Sequence, residues 1–204
     1  MKLFAWPSSP YVRKALLVAH EVGVVDELQL VFAGTDEELS ALNRINPIGR
    51  IPTLVVSDEL VIFESNEVCR FLAEHHSRSL DLDEPNIGKW EIGQHQAVVD
   101  AILDSATAGM GERRRPMEKQ FKPYADTLIA RIDRCLTYLE AVLPLRLSEV
   151  SLFTLSLGSA LAYLDFRYPD HPWRSGHPTL TTWHDGFRHR ASMTATEFSV
   201  RDNW

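Results

Sequence analysis

Asn46-Pro47-Ile48-Gly49-Arg50-Ile51-Pro52-Thr53-Leu54-Val55-Val56 runs through Ser57-Asp58-Glu59 into Leu60-Val61-Ile62-Phe63-Glu64-Ser65, and this stretch decides the fold. Asn-Pro-x-Gly is turn chemistry. The β-branched run after it reads as a strand starting at Pro52, a position where proline is tolerated. Ser57-Asp58-Glu59 makes a turn, and residues 60–63 return as a hairpin partner. Beyond them Val68, Phe71 and Leu72 recur at helical spacing, with Ser65 as the expected N-cap.

Reading outward toward the N-terminus, residues 2–6 are short, apolar and stopped by Pro7, which marks a buried strand. Ser8-Ser9-Pro10 offers a helix start, with Ser9 as N-cap and Pro10 at the first helical position. Val12, Ala15, Leu16 and Ala19 follow at helical spacing, and Gly23 ends the run. A second strand is expected at residues 28–32 and a weak helix at 36–43. The order is β-α-β-α-β-β-α.

Toward the C-terminus, residues 77–87 are polar and contain Pro85, as a linker would. After it strand signals almost vanish, and helical periodicity appears at residues 90–108, 124–143, 152–166 and 179–188. The expected organisation is α+β followed by all-α, with a first domain at residues 1–77 and a helical one at 86–204. There is no internal repeat and no low-complexity segment.

The chain has 204 residues, 45% of them hydrophobic and 24% charged, which is globular usage and excludes disorder and collagen-like structure. The net charge of −7 argues against a nonspecific nucleic-acid binder, which needs a basic face. Cys69 and Cys135 are too few for a disulfide framework, so a reducing compartment is expected. Pro7 comes too early for an apolar signal core, and no apolar stretch approaches the ~20 residues of a membrane span. A cytoplasmic protein is the expectation, with neither a nucleic-acid nor a membrane partner.

Three segments carry the chemistry. Ser9 sits where a strand gives way to a helix, and a helix N-terminus favours an anion such as a thiolate. By itself such a serine is a cap. Ile51-Pro52 at a strand start exposes the Ile51 backbone to a peptide-like ligand if the bond is cis; with cis bonds in only about 5–6% of X–Pro pairs, Pro52 taken alone reads as trans. Glu64-Ser65 pairs a carboxylate for an ammonium group with a helix-start hydroxyl and N–H for a carboxylate. Taken alone, it is an ordinary cap beside an acid.

Together, and in this order, the segments resemble the glutathione S-transferase superfamily. Ser9-Pro10-Tyr11-Val12-Arg13-Lys14 is similar to the Ser-Pro-Tyr/Phe-Val-Arg-Lys opening of bacterial members. Asn46-Pro47-Ile48-Gly49-Arg50-Ile51-Pro52-Thr53-Leu54 is similar to their Asn-Pro-x-Gly-Lys-Val-Pro-x-Leu stretch, and Glu64-Ser65 with Cys69-Arg70-Phe71-Leu72 to Glu-Ser-x-x-Ile-x-x-Tyr-Leu. Residues 157–167 resemble helical-domain sequence of a bacterial branch.

The resemblance implies a thioredoxin-like N-terminal domain that binds glutathione and an all-α C-terminal domain that carries the acceptor pocket. It implies Ser9 as the hydroxyl activating the glutathione thiol, with the adjacent Ser8 as the other candidate. Arg50 would lie near the glycine end, Ile51 would pair its backbone with the cysteinyl unit ahead of a cis Pro52, and Glu64 and Ser65 would hold the γ-glutamyl end. Tyr11 and Arg113 are candidates for the acceptor pocket. Glutathione is the implied co-substrate, a small electrophile the acceptor, a homodimer the implied assembly and detoxification the implied role. Disulfide or peroxide reduction with glutathione, and a non-catalytic binding or regulatory module, are the alternatives.

Other features read as structural. Arg113-Arg114-Arg115 before Pro116 reads as a solvated helix end. Cys69 and Cys135 read as small buried hydrophobes. The histidines show no metal-ligand spacing, since His75 and His76 diverge by about 100° on a helix, so no metal is expected. Tyr163, Asp165 and Arg167 read as a buried polar contact, with contact to the ligand as the alternative. Ser148-Glu149-Val150-Ser151 matches the family's Ser/Thr-x-x-Asp capping box, with serine in place of the acid.

Overall fold

Residues 2–6 alternate too little to leave a solvent face, and they form the centre of a sheet. In the computed structural model, which describes residues 1–75, 87–142 and 150–199, β1 (Lys2–Ala5), β2 (Gln29–Phe32), β3 (Thr53–Val55) and β4 (Val61–Phe63) form one sheet in the order β2-β1-β3-β4. β1 runs parallel to β2 and antiparallel to β3, and β3 and β4 form the expected antiparallel hairpin. The parallel pair needs a crossover, which α1 (Pro10–Val22) provides.

Successive strand residues face opposite sides, and both sides are covered. Leu3 and Leu54 are paired across the strands and fully buried. On the other side Phe4, Ala33 and Leu42 form a cluster with Val31, Ile45, Ile51 and Val55 around it. Leu42 belongs to α2 (Asp36–Ile45). The sequence marks this helix weakly, yet it starts in a full capping box: the Thr35 hydroxyl accepts from the Glu38 N–H at 3.2 Å, and the Thr35 N–H donates to Glu38 Oε2 at 2.9 Å. α1 starts at Ser9 and Pro10 as expected and stops at Gly23, whose φ of 81° only glycine adopts at little cost. Val24 N–H then reaches back to Ala19 O and Gly23 N–H to His20 O, closing the helix end.

α3 (Ser65–Glu74) follows β4. Its N-cap is Glu64 rather than the expected Ser65, which is the first helical residue. Glu64 has φ 74° and ψ 123°, a positive-φ conformation that lets the chain turn directly from strand into helix. The element order is thus β-α-β-α-β-β-α, a thioredoxin-like domain.

The rest of the described chain is helical: α4 (Lys89–Arg113), α5 (Lys122–Val142), α6 (Leu152–Arg167), α7 (Pro178–Phe187) and the short α8 (Ala191–Ala195). α8 gave no periodic signal. The cap of α6 is Ser151 rather than Ser148. Ser151 Oγ accepts from the Thr154 N–H at 3.1 Å, and the Ser151 N–H donates to Thr154 Oγ1 at 2.8 Å. Threonine thus stands where the resemblance expects an acid, and Ser148 and Glu149 lie outside the described residues. So does most of the expected linker.

The chain clusters into two compact units. One comprises Met1–Leu82, Val150–Leu155 and Ala191–Trp204; the other comprises Asp83–Glu149 and Ser156–Arg190. In the second, α4 packs on α5 through Val99, Ile102, Leu103 and Ala106 against Leu128, Ile132, Leu136 and Leu139, all buried. Glu140 of α5 caps α7, its carboxylate accepting from the Thr179 N–H at 2.7 Å and the Leu180 N–H at 2.9 Å.

Candidate functional site

Sheet register brings the three sequence segments to one end of the sheet. Phe4 pairs with Thr53, and Thr53 with Phe63, so the three form one row across β1, β3 and β4. The chain just beyond that row carries Ser8 and Ser9 after β1, Ile51 and Pro52 before β3, and Glu64 and Ser65 after β4.

Ser9 caps α1, its Oγ accepting from the Val12 N–H at 3.3 Å. Its own N–H donates to Trp6 O at 3.0 Å, which closes the turn out of β1. The acceptor side of the hydroxyl is therefore used within the helix, while its hydrogen finds no acceptor among the described residues. Ser9 is half-buried and Ser8 buried. Tyr11, in the first turn, is half-buried.

The second segment is a locked turn. Asn46 is buried and uses its whole amide: Nδ2 donates to Arg50 O at 3.0 Å and Thr53 Oγ1 at 2.8 Å, and Oδ1 accepts from the Ile48 N–H at 2.9 Å. Gly49 has φ 64°, and a Cβ there would sit 2.6 Å from Asn43 Oδ1. Ile51–Pro52 is cis. Arg50 is exposed, and its guanidinium pairs with no group among the described residues.

The third segment starts a helix without a side-chain cap. Glu64 is exposed and Ser65 is buried. An uncapped helix start presents N–H groups and a partial positive charge to an anion. The starts of α1 and α3 are tied together by Lys14, fully buried, whose Nζ donates to Asn66 Oδ1 at 2.8 Å.

Arg13 carries no sequence signal of a special role. Its guanidinium is buried, donates to Met193 O at 3.0 Å and Thr196 Oγ1 at 3.3 Å, and lies 4.4 Å from the centre of the Phe198 ring. Burial lowers its pKa to about 10, partly opposed by Glu197. It anchors the segment after α8 to α1. A buried cation in an Arg-Lys pair is not readable from spacing, because such pairs ordinarily face water.

In the helical unit Arg113 is an exposed helix end, as its position before Pro116 suggested, but it is not idle. Its guanidinium lies 4.3 Å from the Tyr168 ring centre and donates to Arg167 O at 3.2 Å. Asp165 accepts from Trp173 Nε1 at 2.9 Å and from Arg174 Nη2 at 2.6 Å. Arg174 Nη2 also donates to His184 Nδ1 at 3.1 Å. This network joins α6 to α7, so Asp165 has the structural role its spacing suggested. Cys69 is fully buried, whereas Cys135 is only partly so, with its thiol pKa raised by desolvation. Among the described residues no group of three metal-ligating side chains forms, and no helix is long and apolar enough to cross a membrane.

Residues 8–75 match the family model for the glutathione S-transferase N-terminal domain. A glutathione transferase family member from Pseudomonas fluorescens Pf-5, solved with bound glutathione, is 33% identical, with a TM-score of 0.87 over 98% of this chain and 99% of that one. A second structure from that organism, with bound S-(propanoic acid)-glutathione, is 32% identical, with a TM-score of 0.84 over 98% of this chain and 100% of that one. The uncharacterized GST-like protein YibF of Escherichia coli K12 is 25% identical over 202 residues, 97% of this chain and 98% of its own. A thioredoxin-like domain with these segments at one sheet end, followed by helices, defines a class. The chain belongs to the glutathione transferase family.

Proposed function

We propose that this protein is a glutathione transferase that uses a serine at the thiol-activating position. One observation carries the reading: the sheet register gathers Ser9, Pro52 and Glu64-Ser65 at a single end of the domain. The glutathione bound to the Pseudomonas fluorescens relative supports it.

Glutathione is anchored by the first domain, residues 1–77. Its γ-glutamyl ammonium pairs with Glu64, and its α-carboxylate takes the Ser65 hydroxyl and the uncapped N–H groups of α3. The Ile51 backbone, ahead of Pro52, pairs with the cysteinyl unit. Arg50 meets the glycine carboxylate. The cysteinyl sulfur then lies at the start of α1, where the unused Ser9 hydrogen donates to it. That hydrogen bond and the helix charge favour thiolate over thiol. Lowering a pKa of about 8.5 by roughly two units makes thiolate the main form at neutral pH. We favour Ser9 over Ser8 because Ser9 is the cap and the less buried of the two.

The thiolate attacks an electrophilic carbon and displaces its leaving group, or adds to an activated double bond. The helical domain, residues 86–204, carries the acceptor pocket in this reading, with Arg113 at the end of α4 as a candidate residue. The S-substituted glutathione in the second relative is a conjugate of the kind such a reaction makes. The reading extends to a cytoplasmic homodimer with a role in detoxification. Calorimetry with glutathione, followed by turnover with an aryl halide, tests it. Absence of glutathione binding would leave a non-catalytic role in its place.

A further inference from the structure

Residues 114–121 join α4 to α5, and this short loop is braced from within. Glu112, buried near the end of α4, accepts from Arg115 Nη1 at 3.0 Å and from the Phe121 N–H. Gln120 Nε2 donates to Arg113 O at 3.1 Å and to Arg115 O at 2.9 Å. The Lys119 N–H reaches Pro116 O at 2.8 Å and the Tyr124 N–H reaches Phe121 O at 3.0 Å, closing both turns.

A loop held in one shape also holds its side chains, and here it turns apolar groups outward. Met117 is 85% exposed, Phe121 61% and Tyr124 45%. One large apolar side chain at the surface needs no explanation, but three within eight residues of a braced loop call for an occupant.

Charge and size say which. Residues 112–126 hold five basic side chains and three acidic ones, a surplus of two on a chain of net charge −7. That surplus already counts the pairs Arg115–Glu112 and Lys122–Asp126. Residues 113–124 are all exposed, Lys119 among them. At these exposures the three apolar side chains offer roughly 400 Å². That is half of the ~800 Å² that each partner of a stable protein interface buries. An anionic lipid surface asks for less. Apolar tips enter the acyl boundary, while basic groups and a tyrosine hydroxyl stay among the headgroups.

We infer that the α4–α5 loop, through Met117, Phe121 and Tyr124 with Lys119 beside them, is a docking surface for an anionic lipid bilayer. Contact with one face of a bilayer needs no spanning helix. It therefore revises the expectation of no membrane partner, which rested on spans and export signals alone. The inference goes beyond the transferase reading and does not depend on it.

Flotation of the whole protein with vesicles tests it. One set is phosphatidylcholine alone, and the other is phosphatidylcholine and phosphatidylglycerol in equal parts. The protein should float with the mixed vesicles and not with the neutral ones, and added salt should release it. Replacing both Met117→Ser and Phe121→Ser should weaken binding by more than about tenfold. Lys119→Gln should weaken it about fivefold, the effect of one charge at an anionic surface. All three positions are exposed, so these variants fold, which circular dichroism checks. Phe121→Trp should keep the binding, and its added emission should shift to the blue on the mixed vesicles. No flotation with the mixed vesicles, equal flotation with both sets, or binding that survives the double serine substitution overturns the proposal. If no vesicles bind and the protein alone self-associates in a way the double variant loses, the loop belongs to a second copy instead. Glutathione affinity is expected to be the same in every variant, so failure here leaves the transferase reading standing.

Discussion

Lys14 Nζ donates to Asn66 Oδ1 across 2.8 Å, and this bond joins the N-terminal halves of the two helices whose starts face the proposed ligand. Lys14 is fully buried, so its charge depends on protein acceptors. Asn66→Leu removes one of them. The expected cost is about 1.5–3 kcal/mol, the range for hydrogen bonds to charged groups, together with weaker glutathione binding because α1 and α3 are no longer held in register. Urea denaturation and calorimetry read the two effects.

Ser9→Ala separates capping from catalysis. Loss of the cap costs about 1 kcal/mol of stability, while turnover falls far more and glutathione binding survives. Ser9→Thr restores the cap and most of the turnover. Ser8→Ala leaves the rate near wild type. Steady-state kinetics beside thermal melts distinguish these outcomes.

Arg13 holds the C-terminal segment, and its loss should be felt there. Arg13→Gln leaves the Met193 carbonyl and Thr196 hydroxyl with a shorter, neutral partner. Breaking a buried charge contact of this kind costs about 3 kcal/mol. Hydrogen exchange should rise in α8 and along α1, while α4 and α5 keep their protection.

His184 makes stability pH-dependent. Arg174 can only donate, so His184 Nδ1 accepts and the ring is neutral, with its proton on Nε2. Burial is the main reason its pKa falls to about 4; Asp165 opposes it, and Arg174 adds to it. The unfolded chain binds this proton near pH 6.5, and the folded chain only near 4. Stability is therefore full above about pH 6.5 and falls as pH drops toward 4, by up to about 3 kcal/mol. His184→Phe should flatten that limb. An acid limb that is identical in the variant would contradict the assignment.

Much of this was legible in the sequence, and for physical reasons. Proline and serine at a helix start, glycine at its end and a β-branched hairpin are local signals, so β1, α1, β3 and β4 fall where they are read. The residues proposed to face glutathione are legible only jointly, since each motif alone is an ordinary turn or cap. Glu64, and not Ser65, caps α3 because it takes a positive φ, which leaves no trace in composition. The α6 cap is Ser151, three residues beyond the serine that the family pattern marks, because serine recurs at both positions. The role of Arg13 leaves no sequence signal, because its partners Met193 and Thr196 are distant in sequence and its burial is one that arginine rarely shows.

In the proposed mechanism Ser9 lowers the pKa of bound glutathione. The direct measurement is the ultraviolet thiolate absorbance of protein-bound glutathione, titrated against pH in wild type and in Ser9→Ala. The account predicts a midpoint about two units below that of a free thiol in wild type, returning most of the way in the variant. The same midpoint in both proteins, with glutathione bound in each, would contradict it.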